Sequence, residues 1–229
     1  MAKKIVKKRK IKVFSLLLML IIFVALVFSG YLFLNTKTKN IIIKGNKYLN
    51  DDYIIELSDI KDYPSFFLTS SANIKKKLLS STYINEVVVK RSFYHVFTIK
   101  VKENKALFIN NNTNMVVFEN KDEVSVDDIN YLFRIPRLIN YVPDDKYSKL
   151  LKKMRNIDND VLGKISDIEY QPNEYDKDRF LLYMDDGNMV YLTLTKFKMI
   201  NYYNDVLSQL EDRHGILYLD NGNHFQIKE

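Results

Sequence analysis

The residues that come nearest to a catalytic set are Ser58-Asp59-Ile60-Lys61 and, further on, Ser71-Ala72-Asn73. A serine three residues before a lysine can put hydroxyl and amine one helical turn apart, so that the amine takes the proton of a nucleophilic serine. Ser-x-Asn would add the second serine of a penicillin-binding active site. The Lys-Thr-Gly element that completes such a site is missing, and the two elements present stand too close together. In a chain this rich in lysine, Ser-x-x-Lys arises by chance. The three histidines, His95, His214 and His224, fall in or beside turns and include no His-Glu-x-x-His pair, so a metal centre is not expected. Asp185-Asp186-Gly187-Asn188 has the look of a cation loop but lacks the alternating acids and later glutamate of an EF-hand, and reads as a hairpin turn. With no cysteine, thiol catalysis, thiolate metal sites and disulfides are all excluded. The expectation is therefore a protein without catalysis, cofactor or small-molecule substrate.

What remains is the chemistry of binding. An edge strand carries unpaired N–H and C=O groups that a partner segment can complete, and aromatic side chains beside it supply anchors. The C-terminal hairpin, with Tyr218, His224, Phe225 and Ile227, has no covering element after it and is the candidate partner-binding site. Leu217 and Leu219 are expected in the core. Since neighbours on a strand alternate, Tyr218 should face away from them. The hairpin edge around Phe97 to Val101 is the next candidate.

These residues need a scaffold to position them, and the sequence outlines one. Ile41-Ile42-Ile43-Lys44 reads as a strand stopped by Gly45-Asn46. Asn50 suits the N-cap of a helix carrying Ile54 and Leu57, and Ser71 or Asn73 caps a second with Ile74 and Leu78 as i,i+4 partners. Val87 to Arg91 and Phe97 to Lys102 alternate apolar and polar residues around a tight turn, as a half-buried hairpin does. The order strand, helix, helix, strand, strand is α+β. Beyond it, Lys105 to Ile109 and Met115 to Phe118 read as short strands, and Tyr147, Leu150, Leu151, Met154 and Ile157 as one helical face. Ile165 to Tyr170, Arg179 to Met184 and Met189 to Leu194 follow as strands. Thr195 is expected to cap a helix carrying Ile200, Tyr203, Val206, Leu207 and Leu210. Ile216 to Leu219 and Asn223 to Ile227 then pair across Asn221-Gly222.

Ahead of all this lie 22 uncharged, mostly apolar residues, Val13 to Leu34. At ~1.5 Å per residue they extend roughly 33 Å, enough to cross a hydrocarbon core about 30 Å thick. The chain has 35 Lys and Arg against 28 acids, and seven of the basic residues precede the apolar run. The excess positive charge thus belongs to the tail and not to a nucleic-acid-binding domain. Within it, Lys7, Lys8, Arg9, Lys10 and Lys12 hold the amino end in the cytoplasm and place the bulk of the chain outside. A cleaved secretory signal is the competing reading, with Ser29 near a plausible cleavage point. The apolar run, however, continues well past the ~7–15 residues of a signal core.

Ile41-Ile42-Ile43-Lys44-Gly45-Asn46 resembles the start of a POTRA domain, and Val89-Lys90-Arg91-Ser92-Phe93-Tyr94-His95-Val96-Phe97-Thr98-Ile99-Lys100-Val101-Lys102-Glu103 resembles its end. Taken with the anchor, they resemble the FtsQ/DivIB family of bacterial division proteins. Arg91, Phe93 and Glu103 match the family's pattern, whereas Tyr94 stands where proline is usual. Pro136-Arg137-Leu138, Asp185-Asp186-Gly187, Lys196-Phe197-Lys198 and Gly215-Ile216-Leu217-Tyr218-Leu219-Asp220 follow in the family's order. The resemblance implies a cytoplasmic tail (1–12), a transmembrane helix (13–34), a linker (35–40), a βααββ POTRA domain (41–106) and a mainly antiparallel β domain with two or more flanking helices (107–229). It further implies a scaffold at the division septum, binding coiled-coil membrane partners of the FtsL and DivIC (FtsB-like) type and helping to regulate septal peptidoglycan synthesis. The alternative is an anchored extracytoplasmic sensor or wall-associated enzyme with a POTRA-like domain.

Overall fold

The computed structural model describes residues 13–128, 134–210 and 213–228. Lys7, Lys8, Arg9, Lys10 and Lys12 lie outside the described residues. Val13–Leu34 forms one unbroken helix, α1, with no buried residue. It is the one helix among the described residues that is long and apolar enough to cross a membrane. The chain then divides into two compact units. The first holds 13–44, 51–78 and 88–100, and the second 45–50, 79–87 and the described residues from 101 onward.

In the first unit, β1 (Asn40–Lys44) is followed by α2 (Asp51–Leu57) and α3 (Ser71–Leu79), then β2 (Ile84–Ser92), whose first residues belong to the second unit, and β3 (Val96–Glu103), whose last residues pass into it. The three strands form a sheet in the order β1-β3-β2, with β1 parallel to β3 and Asn40 opposite Val96. The strand expected to offer a free edge, Phe97 to Val101, is the middle one, so both its sides are already paired and that candidate falls. The alternation read in β3 is real: Phe97, Ile99 and Val101 are buried. Asp51 and Asp52 open α2, where carboxylates meet the positive end of the helix dipole. The start of α3 is held by Ser70, whose hydroxyl accepts the Asn73 N–H at 3.4 Å, and not by Ser71 or Asn73.

In the second unit, Glu103 at the end of β3 closes a tight cradle. Its carboxylate accepts the N–H groups of Lys47, Tyr48 and Leu49 at 2.8–3.1 Å. Such charge-assisted bonds are the strong ones, and their loss would leave the amides of the turn before α2 without an acceptor. Glu103→Ala is expected to lower stability by about 3 kcal/mol in urea denaturation of the extramembrane part. Glu103→Gln, which keeps one acceptor oxygen, should lose less.

The rest of the second unit is built, among the described residues, around one nine-stranded sheet. In chain order it contains β4 (Ala106–Asn110), β5 (Met115–Phe118), β6 (Glu123–Ser125), β7 (Arg137–Leu138), β8 (Ile165–Tyr170), β9 (Arg179–Met184), β10 (Met189–Thr193), β11 (Gly215–Tyr218) and β12 (His224–Ile227). In space the order is β12-β11-β10-β9-β8-β7-β4-β5-β6. Five of the eight pairings are antiparallel, whereas β4–β7, β7–β8 and β10–β11 are parallel. The fold is α+β, as the sequence implied. Helices α4 (Asp144–Met154), α5 (Asn159–Leu162) and α6 (Tyr203–Leu207) share one hydrophobic core with the inward residues of the strands, among them Ile168, Phe180, Leu182 and Val190.

The helix expected from Thr195 is mostly a 3₁₀ segment, Leu194–Tyr202, with only Tyr203–Leu207 in α form. Leu194, Phe197, Ile200 and Tyr203 are all buried and stand three residues apart. A 3₁₀ helix eclipses side chains at i and i+3, so a three-residue repeat lines them along the core. A 3.6-residue face would have turned some of them to solvent.

The candidate docking edge

The C-terminal hairpin is built onto β10. Strand β11 runs parallel to it, with Val190 opposite Leu217 and Tyr191 opposite Tyr218. Antiparallel strands can follow one another through a short turn, but a parallel neighbour must return by a crossover, here the 3₁₀ segment and α6. Two residues seat β11 at its start. Asn188, 1% exposed, accepts the Gly215 N–H on its side-chain oxygen at 2.8 Å. Gly215 itself lies against β12 so closely that a Cβ would sit 2.1 Å from the Gln226 carbonyl oxygen. The adjacent Asp186 accepts the Tyr203 hydroxyl at 2.7 Å. Burial, with this bond to the carboxylate, pushes the Tyr203 phenol well above its ordinary pKa. The Asp185-Asp186-Gly187-Asn188 turn thus ties α6 and β11 to the sheet, a role that its sequence does not announce.

Strand β12 forms one end of the sheet, paired on one side with β11 and, among the described residues, with nothing on the other. Beyond the hairpin, the Lys228 N–H donates to the His214 carbonyl at 2.9 Å. Antiparallel ladders alternate between bonded and non-bonded pairs. With 228 bonded inward, Gln226 and His224 are bonded inward too. The N–H and C=O groups of Phe225 and Ile227 therefore point away from β11, along the free edge.

The four candidate residues do not form one patch. Phe225 turns to the helix-covered face and packs partly against the core, and Ile227 on the same face is half exposed. Tyr218 and His224 occupy the opposite face, with their rings stacked at 4.7 Å. Leu217 and Leu219 are buried, so Tyr218 does face away from them. The stack continues inward: Tyr218 lies 5.4 Å from Tyr191, and the Arg179 guanidinium sits 3.6 Å over the Tyr191 ring. Arg179 also donates to Asp220 at 2.7 Å, both side chains being less than 15% exposed. Both faces of the Tyr218 ring are thus occupied within the protein. Further along this face, the Tyr183 hydroxyl donates to Glu169 at 2.7 Å, and this bond, with burial, pushes its pKa up to about 12.

Two of the residues considered for catalysis have other partners. The Ser58 hydroxyl donates to the Ile55 carbonyl at 2.8 Å, while Lys61 lies 3.9 Å from Glu56. Among the described residues, no three His, Asp or Glu side chains converge as a metal site.

Two family models match the chain: "POTRA domain, FtsQ-type" over residues 36–104, and "Cell division protein FtsQ/DivIB, C-terminal" over residues 101–221. The second alone spans more than half the sequence. The chain belongs to the FtsQ/DivIB family.

Its relatives include the cell division protein DivIB of Bacillus subtilis, 27% identical over 83% of this chain and 74% of that protein. The DivIB of Brevibacillus brevis is 27% identical over 90% of this chain and 78% of that one. The solved extracytoplasmic domain of DivIB from Geobacillus stearothermophilus, 20% identical, covers 48% of this chain and 96% of that domain with a TM-score of 0.39. That score is too low to bear on the arrangement described above. Both relatives are described as cell division proteins, and neither description names an enzyme. The FtsQ/DivIB match stops at residue 221, before β12 begins. The edge strand lies outside the region that the family model covers.

Proposed function

We propose that this FtsQ/DivIB protein is a bitopic, non-enzymatic scaffold of the division complex. Val13–Leu34 spans the membrane, with the basic tail in the cytoplasm and the rest of the chain outside. It holds coiled-coil membrane partners of the FtsL and DivIC type by strand addition at β12, and so helps to regulate septal peptidoglycan synthesis. The division of labour follows the POTRA domain (41–106) and the β domain (107–229). The observation that carries the reading is the edge strand: Phe225 and Ile227 offer backbone donors and acceptors to an incoming segment, and Ile227 gives it an apolar contact.

A fluorescent fusion is expected to form a midcell band in dividing cells, and protease added to intact protoplasts should degrade the chain beyond Lys37. An even distribution around the cell would favour an anchored sensor or wall-associated enzyme instead. Protection from protease would refute the topology.

A further inference from the structure

Outside α1, the first unit carries its most exposed large side chains in two loops. Phe93 and Tyr94, at the tip of the β2–β3 hairpin, are 101% and 81% exposed, and Leu68 in the loop before α3 is 64% exposed. Exposed apolar groups clustered in this way mark a surface that meets something. Both loops are joined to the end of α1. The Phe67 ring stacks on Phe33, in the last turn of α1, with centroids 4.3 Å apart. Ser65 donates its hydroxyl to the Leu34 carbonyl and bridges Lys37 in antiparallel fashion, and the Phe66 N–H donates to Thr36. The hairpin tip is tied to the same place. His95 stands edge-on to Phe66 and Phe67 at 5.2 and 5.5 Å, and its carbonyl accepts the Lys39 N–H at 2.8 Å. Phe93, Phe67 and Arg91 help to line one shared cavity of about 330 Å³. Exposed Lys37 and Lys39 flank the same helix end, and the Arg91 guanidinium lies 4.4 Å over the Phe66 ring.

We infer that Phe93, Tyr94 and Leu68 are inserted into the outer interface of the phospholipid bilayer, docking the first unit onto the membrane beside its own anchor. The inference rests on the reading of α1 as a span. If α1 crosses the bilayer, its last turn lies at the boundary between acyl chains and headgroups. The loops stacked on that turn then lie at the same depth. Aromatic side chains favour this layer because an apolar ring and a polar tip are both accommodated there, and Tyr94 has both. Lys37 and Lys39 are placed to meet lipid phosphates, their apolar stems lying along the surface, while Arg91 donates to the Phe66 carbonyl and holds the loop. The short connection from Leu34 to Asn40 tethers the unit, and the interfacial contacts fix which of its sides faces the lipid.

The chain contains no tryptophan, so single tryptophans report without background. Full-length protein carrying Phe93→Trp, Phe23→Trp or Lys76→Trp would be reconstituted into phosphatidylcholine–phosphatidylglycerol vesicles, with and without lipids brominated on the acyl chains. Phe93→Trp is expected to emit at shorter wavelength than Lys76→Trp and to lose most of its emission to the brominated lipids, more to those brominated near the glycerol end. Lys76→Trp, on an exposed face of α3, should be unaffected. Phe23→Trp, in the middle of α1, should be quenched most by deep bromines. An unquenched Phe93→Trp beside a quenched Phe23→Trp overturns the docking while leaving the span intact. A blue-shifted but unquenched Phe93→Trp also overturns it, because the ring then rests against protein. Quenching of Lys76→Trp to the same degree would mean general adsorption and would overturn it as well. An unquenched Phe23→Trp refutes the span itself, and the docking with it.

Discussion

Replacing Ile227 with proline is expected to abolish capture of the proposed coiled-coil partner by the purified extramembrane part while leaving its fold intact. Proline has no N–H and is tolerated on the outer side of an edge strand. Position 227 is suited to it because the backbone groups of Ile227 point away from β11. The substitution deletes one donor from the free edge and sets a ring in the path of the incoming segment. It also deletes the half-exposed Ile227 side chain. If that contact is a hot spot worth ~2 kcal/mol or more, binding falls at least about 25-fold, which a titration resolves easily. Removing 223–229 should have the same outcome, at the cost of uncovering β11. Proline at His224 makes the contrasting case, since it strikes a residue bonded to β11 and should loosen the hairpin itself. A folded Ile227→Pro variant that binds like the parent would move the docking surface elsewhere. The other end of the sheet, β6, is then the remaining edge, though it has only three residues.

Gly215→Ala should be the most damaging single methyl group in the C-terminal hairpin. Its Cβ would lie 2.1 Å from the Gln226 carbonyl oxygen and 2.9 Å from the Phe225 ring, distances that no side-chain rotation relieves because the first contact is backbone. Either β12 swings away or the sheet end is strained, and overpacking of this kind costs about 1–3 kcal/mol. The expected readouts are a lower urea midpoint and faster hydrogen exchange confined to β11 and β12. Partner capture should fail with them. Gly215→Ala thus loses binding together with order, whereas Ile227→Pro loses binding alone. Intact binding in an Ala variant whose hairpin exchanges freely would show that β12 does not carry the partner.

Much of the fold was legible because periodicity is a local property. The alternation of Phe97, Ile99 and Val101 and the i,i+4 pair Ile74 and Leu78 each mark a face that the folded chain buries. The helix expected from Thr195 starts as a 3₁₀ segment, whose three-residue repeat is spelled by Leu194, Phe197, Ile200 and Tyr203. Tyr203, Val206, Leu207 and Leu210 satisfy the commoner helical spacing and drew the reading their way. Strand β7, two residues long, and β6, three residues long, are too short for any pattern to show.

The candidate site divides along the same line. The sequence alone determined the apolar helix, the hairpin, and the placing of Tyr218 on the face opposite Leu217 and Leu219. These follow from hydrophobic length, turn chemistry and the two-residue period of a strand, which sets the side that Tyr218 faces. Only the tertiary structure decided that β12 is an edge, that Phe97 to Val101 is not, and that Phe225 and Ile227 are the residues whose backbone faces outward. Strand order depends on which distant segments pair, and the direction of each N–H depends on the register of that pairing. Both are fixed by the packing of the whole sheet, through contacts such as Asn188 to Gly215, between residues 27 positions apart.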